Sequence, residues 1–221
     1  MLLTLPLAFY YNFANLFLNE VGVLNPAGTM TLGQMSEIIF MLLMPVFFRI
    51  FSIKRMLLIG MVAWVARYFL FAYGDLWMLY GGILLHGICY DFFFVTGFMY
   101  TDNKAPKEVR GQAQALLVFF TQGVGMYFGY WIAGSKFEAL VQQSDAMSAA
   151  IETPTFGFWE SFGKMFLAQK PEVDASITQA AMEGWKTFWM FPCFMALVIA
   201  VVFAITFWDK YKEEDANTSD H

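Results

Sequence analysis

The run from Asp75 to Tyr100, DLWMLYGGILLHGICYDFFFVTGFMY, limits what this chain can become more than any other stretch. Its roughly 26 residues, at ~1.5 Å per residue of helix, are enough to cross a bilayer core. Yet His86 and Asp91 fall near its middle. A carboxylate at the centre of a membrane helix costs about 2.5–3.5 kcal/mol on insertion scales, so it has to face a partner or a wet cavity. The stretch therefore reads as a helix lining an internal path.

Composition agrees with a membrane setting. The 221 residues are 59% hydrophobic, with 26 Phe, 7 Trp and only 14% charged residues. No soluble domain of this length could enclose so much apolar surface, so the expected class is an all-α integral membrane protein in contact with lipid. The net charge of −5 is set by the C-terminal tail and one loop, and no basic patch exists, which argues against nucleic-acid partners. Cys89 and Cys193 lie in apolar segments without metal or redox spacing and read as packing residues. No metal site and no cofactor are expected. The first apolar segment is too long and polar-dotted for a cleaved signal peptide, and it lacks a basic leader and a small-residue cleavage site.

Six apolar segments emerge at membrane length, at residues 2–23, 31–51, 56–73, 76–100, 111–133 and 185–208. They form a bundle over 1–210, with a long loop at 134–184 and a polar tail at 211–221. Arg49, Lys54, Arg55, Lys104, Lys107, Arg110, Lys210 and Lys212 all fall on one side of an alternating path. The positive-inside rule makes that side cytoplasmic and places both termini there, in a cell (inner) membrane. Lys136, Lys164, Lys170 and Lys186 lie in or beside the long loop, where cations weigh less on topology. Within the loop, TFGFWESFGKMFLA predicts a short amphipathic helix, lying either at the outer membrane interface or over the mouth of the bundle.

Polar residues inside the spans need explaining. In the first, Tyr11, Asn12 and Asn15 cluster at mid-depth, with the two Asn on one helical face, whereas Asn19 and Glu20 near the outer end read as interfacial. In the second, Gln34 and Glu37 share a face. Both accept hydrogen bonds and Gln also donates, which suits sugar hydroxyls. Glu37 could instead carry a coupling proton, or pair with Arg67 in a structural ion pair. Arg67, inside the third span, calls for a carboxylate, with Glu37, Asp75 and Asp91 as candidates. In the fourth, His86 and Tyr90 stack on one face, and Gly87 is placed to clear space beside Asp91. Tyr90 offers a flat ring for a planar ligand or for packing. Phe92, Phe93 and Phe94 read as lipid-facing or core filler.

Several runs together carry a family resemblance. PLAFYYNFANLFLNEVGV, the pair in QMSE, RIFSIKRMLLIGMVAWVARYFLFAYGD, LHGICYDFFFVTGFMYTDNKAPKEVRGQAQ and the late GWKTFW are similar, in order and spacing, to the C-terminal half of the nucleoside:proton symporters of the major facilitator superfamily. The resemblance covers nearly the whole chain. It implies one six-span half of a twelve-span, alternating-access transporter, with a midplane site, a nucleoside substrate, a proton as coupling ion and a missing N-terminal six-span half as partner. By the same resemblance, Gln34 and Glu37 contact substrate, Asp91 is the essential carboxylate, and Tyr90 is its neighbouring aromatic. His86 stands where Tyr can occur in relatives, Tyr11 lies near the polar position of the first helix, and Ala8 stands where some relatives have Gln. RIFSIKR resembles a basic cytoplasmic loop that has lost its Asp. With KAPKEVRGQAQ it would brace an inward gate.

Two other classes compete. One is a facilitator for another small polar solute such as a sugar. The other is an intramembrane acyltransferase, suggested by HGICYD. That enzyme motif needs a downstream Pro-Glu-Gly element, which is absent. Five residues also turn a helix through ~140°, so His86 and Asp91 could not act as a dyad. The expectation is a transporter, not an enzyme.

Overall fold

The computed structural model describes residues 1–151, 156–169 and 172–207. The expected tail at 211–221, together with Lys170, Lys210 and Lys212, lies outside them. The described residues form helices α1 (Thr4–Val21), α2 (Pro26–Ile50) and α3 (Ile53–Tyr73), followed by α4 (Leu76–Lys104) and α5 (Lys107–Leu140). Two short helices, α6 (Ser144–Ala150) and α7 (Phe158–Lys164), precede α8 (Ala175–Thr206). Five of these, α2, α3, α4, α5 and α8, are long and apolar enough to cross a membrane. α1 is not among them, having Asn12, Asn15, Asn19 and Glu20 within its 18 residues.

Apart from α1, which falls short of 2–23, each long helix runs past its expected span at one end or both. α2 begins at Pro26 rather than 31, because Asn25 caps it, accepting from Gly28 N–H at 3.0 Å, and Pro26 takes the first helical position. α5 continues to Leu140, and α8 begins at Ala175, capped by Asp174 through Ser176 N–H at 2.8 Å. The loop expected at 134–184 is thus largely helical. At ~1.5 Å per residue, a helix the length of α8 spans roughly 48 Å, well beyond a ~30 Å hydrocarbon core. Hydropathy marks only the slab, so polar turns beyond it go unseen.

α1, α3 and α8 enclose an aromatic core. Trp189 stacks on Tyr68 (5.9 Å, 13°) and meets Phe71 edge-on at 5.1 Å, while Phe17 lies 5.2 Å from Trp185. Tyr68 O–H donates to the Pro6 carbonyl at 2.5 Å, tying α3 to α1. The α1–α5 contact is built on small residues. A Cβ at Gly129 would come within 2.6 Å of the Ala8 methyl, and one at Gly125, a turn earlier, would press still closer on Thr4 Oγ1. Ala8 is therefore a buried packing residue in this chain. α2 and α4 meet in the same way at Gly33, Ser36 and Gly87, so Gly87 makes room for the α2 backbone rather than for the Asp91 carboxylate.

A polar row in the bundle interior

The site grows from an irregularity in α4. The helix loosens at Leu85, resumes at His86, and widens into a π turn over Asp91–Val95. Single π turns are rare and concentrate at functional sites. The buried Trp64 of α3 donates Nε1–H to the Cys89 carbonyl at 3.0 Å, supplying a donor just ahead of the shift in the backbone ladder. Gly60 of α3 lets the π turn approach: a Cβ there would meet Phe93 N at 3.1 Å. Phe92 and Phe94 are buried, so they fill core.

Arg67 is completely buried, and its setting corrects the expectation of a carboxylate partner. Its guanidinium carbon lies 3.4 Å from the Tyr10 ring centroid, and Nη1 lies 2.9 Å from His86 Nδ1. Among the described residues no carboxylate pairs with it. Asp75 is occupied instead as the cap of α4, accepting from Met78 N–H at 3.0 Å. An aromatic face and an imidazole lone pair take the place of a charged partner.

This geometry also assigns the histidine tautomer. Arg has donors only, so His86 Nδ1 accepts and the ring proton sits on Nε2. Nε2 in turn lies 3.5 Å from Glu37 Oε2, an electrostatic contact longer than a good hydrogen bond. A polar row Arg67–His86–Glu37 therefore crosses from α3 through α4 to α2. Aromatic rings wall it: Tyr10 stacks on His86 at 5.4 Å, with Tyr90 at 5.8 Å and Tyr11 at 6.5 Å. Tyr10 was missed in the sequence. On a helix Tyr10 is turned about 100° from Tyr11, towards the buried side of α1, and that rotation was the available signal.

Asp91, next to Tyr90 in α4, is fully buried, with neither carboxylate oxygen hydrogen-bonded among the described residues. It directly follows Tyr90, whose ring lies 5.8 Å from that of His86. The structure thus gathers Tyr11, Glu37, His86, Tyr90 and Asp91 into one region. Gln34, Asn12 and Asn15 are exposed on α1 and α2, as Tyr11 is, and Asn15 Nδ2 lies 3.8 Å from Met30 Sδ. No hydrogen bond joins Gln34 to Glu37 among the described residues. Glu20, expected at the interface, is instead buried: Trp185 Nε1–H donates to it at 2.6 Å and Ser144 Oγ–H also donates.

Among the described residues, an apolar helical bundle whose broken helix carries buried ionisable groups has the make-up of a membrane domain with an internal polar site. The chain belongs to the nucleoside H+ symporter family, which it matches over residues 1–213. It is 40% identical over 212 residues to YegT of Escherichia coli (strain K12), provisionally named a nucleoside transporter, covering 93% of this chain and 43% of YegT. It is 32% identical over 123 residues to the xanthosine permease of the same organism, covering 53% of this chain and 29% of that one. Its fold matches the crystal structure of a point mutant of the nucleoside transporter NupG, with a TM-score of 0.72 and 23% identity, over 94% of this chain and 46% of NupG. The chain spans about half the length of the relatives it matches.

Proposed function

We propose that this chain acts as one half of a proton-coupled nucleoside transporter in the inner membrane, completed by a six-span N-terminal half. The observation that carries the reading is Asp91, a buried carboxylate whose two oxygens have no hydrogen-bond partner among the described residues, directly after Tyr90, whose ring walls the polar row. A proton can neutralise such a group, and its loss restores a charge that favours another arrangement of the helices. Proton uptake and release can therefore be linked to which side the site faces.

In this reading Glu37, His86, Tyr90 and Tyr11 line the nucleoside site, with Gln34, Asn12 and Asn15 completing it on the face toward the second half. Carboxylate and amide groups meet ribose hydroxyls, and the tyrosine rings stack on the base. Arg67 fixes the ring and tautomer of His86. Asp91 carries the coupling proton, with Glu37 as the second carboxylate. α1 is the sixth crossing, and both termini face the cytoplasm. The proton is the sole coupling agent, and no bond of the solute is made or broken.

The test is radiolabelled uridine uptake by the intact protein in cells, with and without a proton uncoupler. Uptake that collapses with the uncoupler supports the proposal. Uridine uptake that is insensitive to it removes the coupling. Uptake of a sugar in place of uridine moves the chain to the other facilitator class.

A further inference from the structure

Besides its row of polar residues, the molecule has an aromatic ledge that transport does not use. α7 is held at the end of the bundle where α1 hands over to α2. Asn25 Nδ2–H donates to the Ser161 carbonyl at 2.9 Å, and Thr29 Oγ1–H to the Met165 carbonyl at 2.6 Å. Just beyond, Leu24 N–H donates to the Leu167 carbonyl at 3.0 Å and Gln169 N–H to the Gly22 carbonyl at 2.8 Å. The segment is therefore fixed against the bundle by bonds to its own backbone.

So held, the segment presents three distinct sides. At about 100° per residue, Phe158, Trp159 and Phe162 share one arc, while Ser161 and Met165 occupy the arc bonded to α2. Glu160 and Lys164 fall on the third. The first arc is uncovered, with Phe158 79%, Trp159 84% and Phe162 56% exposed. It does not end at α7. Phe166 lies 6.0 Å from Tyr80, which lies 5.9 Å from Trp77, itself 73% exposed. Trp77 and Tyr80 sit in the first turns of α4, a membrane-crossing helix, and Trp and Tyr at such a position mark the level of the headgroups. The aromatic arc of α7 thus continues a belt whose height is set by a span.

We propose that α7 is a membrane-interface anchor, its Phe158–Trp159–Phe162 face seated in the lipid at the headgroup–acyl boundary. Its Glu160–Lys164 face stays in water and its third face stays on the bundle. Of the two sequence alternatives for the segment, the proposal takes the interface. A helix with one arc for lipid, one for water and one for protein has the layout of a segment lying flat at a bilayer surface. The anchor pins the connection between α5 and α8 while the spans move beneath it.

Spin labels on single cysteines test this in the intact protein, reconstituted in phosphatidylcholine–phosphatidylglycerol vesicles. The substitutions are Phe158→Cys, Trp159→Cys, Phe162→Cys and Glu160→Cys, all at exposed positions. Native Cys89 and Cys193 are buried, and the unsubstituted protein gives the labelling background. Collision with oxygen is expected to exceed collision with a water-soluble nickel chelate several-fold at 158, 159 and 162, with the order reversed at 160. Nickel dominance at all four positions would overturn the anchor, as would low collision with both reagents at 158, 159 and 162, the sign of a covering protein surface. Any pattern lacking the contrast between 159 and 160 also overturns it.

Discussion

Asp91 and Glu20 are both buried carboxylates in this bundle, and they are opposites. Glu20 spends its oxygens on Trp185 Nε1–H at 2.6 Å and on Ser144 Oγ–H, with Ser148 Oγ a further 3.3 Å contact. These bonds join the end of α1 to α6 and α8. Asp91 has no such partners among the described residues and sits where the helix widens into a π turn. A buried polar group without a hydrogen bond costs roughly 1–3 kcal/mol. The fold saturates one carboxylate and leaves the other open. The saturated one holds helices together, and the open one is the group to which the proposed function gives the coupling proton.

The sharpest way to break this contrast is Asp91→Asn, which keeps the shape and removes the ionisable group. In the intact protein it should cut uncoupler-sensitive uridine uptake by about 100-fold or more, the range typical of losing an essential proton-transfer group. Protein level in the membrane should stay unchanged. Uptake near that of the unsubstituted protein would return Asp91 to a packing role. Glu20→Ala is the reciprocal experiment. It strands a buried indole N–H and the buried Ser144 hydroxyl, so unfolding should come roughly 3 kcal/mol easier and several degrees lower in temperature. Uptake per folded molecule should be retained. If thermal scans show no loss of stability, the clamp is not what holds this end of the bundle.

How far the sequence announced this contrast differs between the two groups. Asp91 was legible because a carboxylate amid LLHGICYDFFF has no cheap place in a bilayer, whatever packs around it. Glu20 was not, because its partners come from α6 and α8, Ser144 and Trp185 lying 124 and 165 positions away. The same limit hid the partner of Arg67. Matching charge to charge suggested a carboxylate, whereas packing supplied the Tyr10 ring and the His86 lone pair. Helix–helix contacts were hidden for a related reason. Gly87 could be seen to make room, but only the crossing of α2 shows for what. The bundle of apolar helices and the polar positions on α1, α2 and α4 were readable. The bonds among them depend on which faces meet.

Glu37 stands between the two extremes, half-buried and touched by His86 Nε2 at 3.5 Å. Glu37→Gln keeps an acceptor and removes the charge, so nucleoside affinity should weaken about tenfold, equivalent to the ~1.4 kcal/mol of one modest polar contact. Binding measured on the purified intact protein checks this, and unchanged affinity would take Glu37 out of the site.

The smallest expected effect lies at the crossing that positions this row. Ser36 Oγ–H donates to the Gly33 carbonyl at 2.7 Å, and the same oxygen accepts from Gly87 N–H at 3.0 Å, next to His86. Ser36→Ala deletes both bonds without adding bulk to a seam that has no room for it. Interhelical hydrogen bonds in membranes average roughly 0.6 kcal/mol, so the stability loss should stay near or below ~1 kcal/mol. The functional consequence should be a modest rise in the uridine concentration for half-maximal uptake, since His86 loses a neighbour that fixes its backbone. A large loss of stability instead would mean that this crossing, rather than the Glu20 clamp, is the main joint of the bundle.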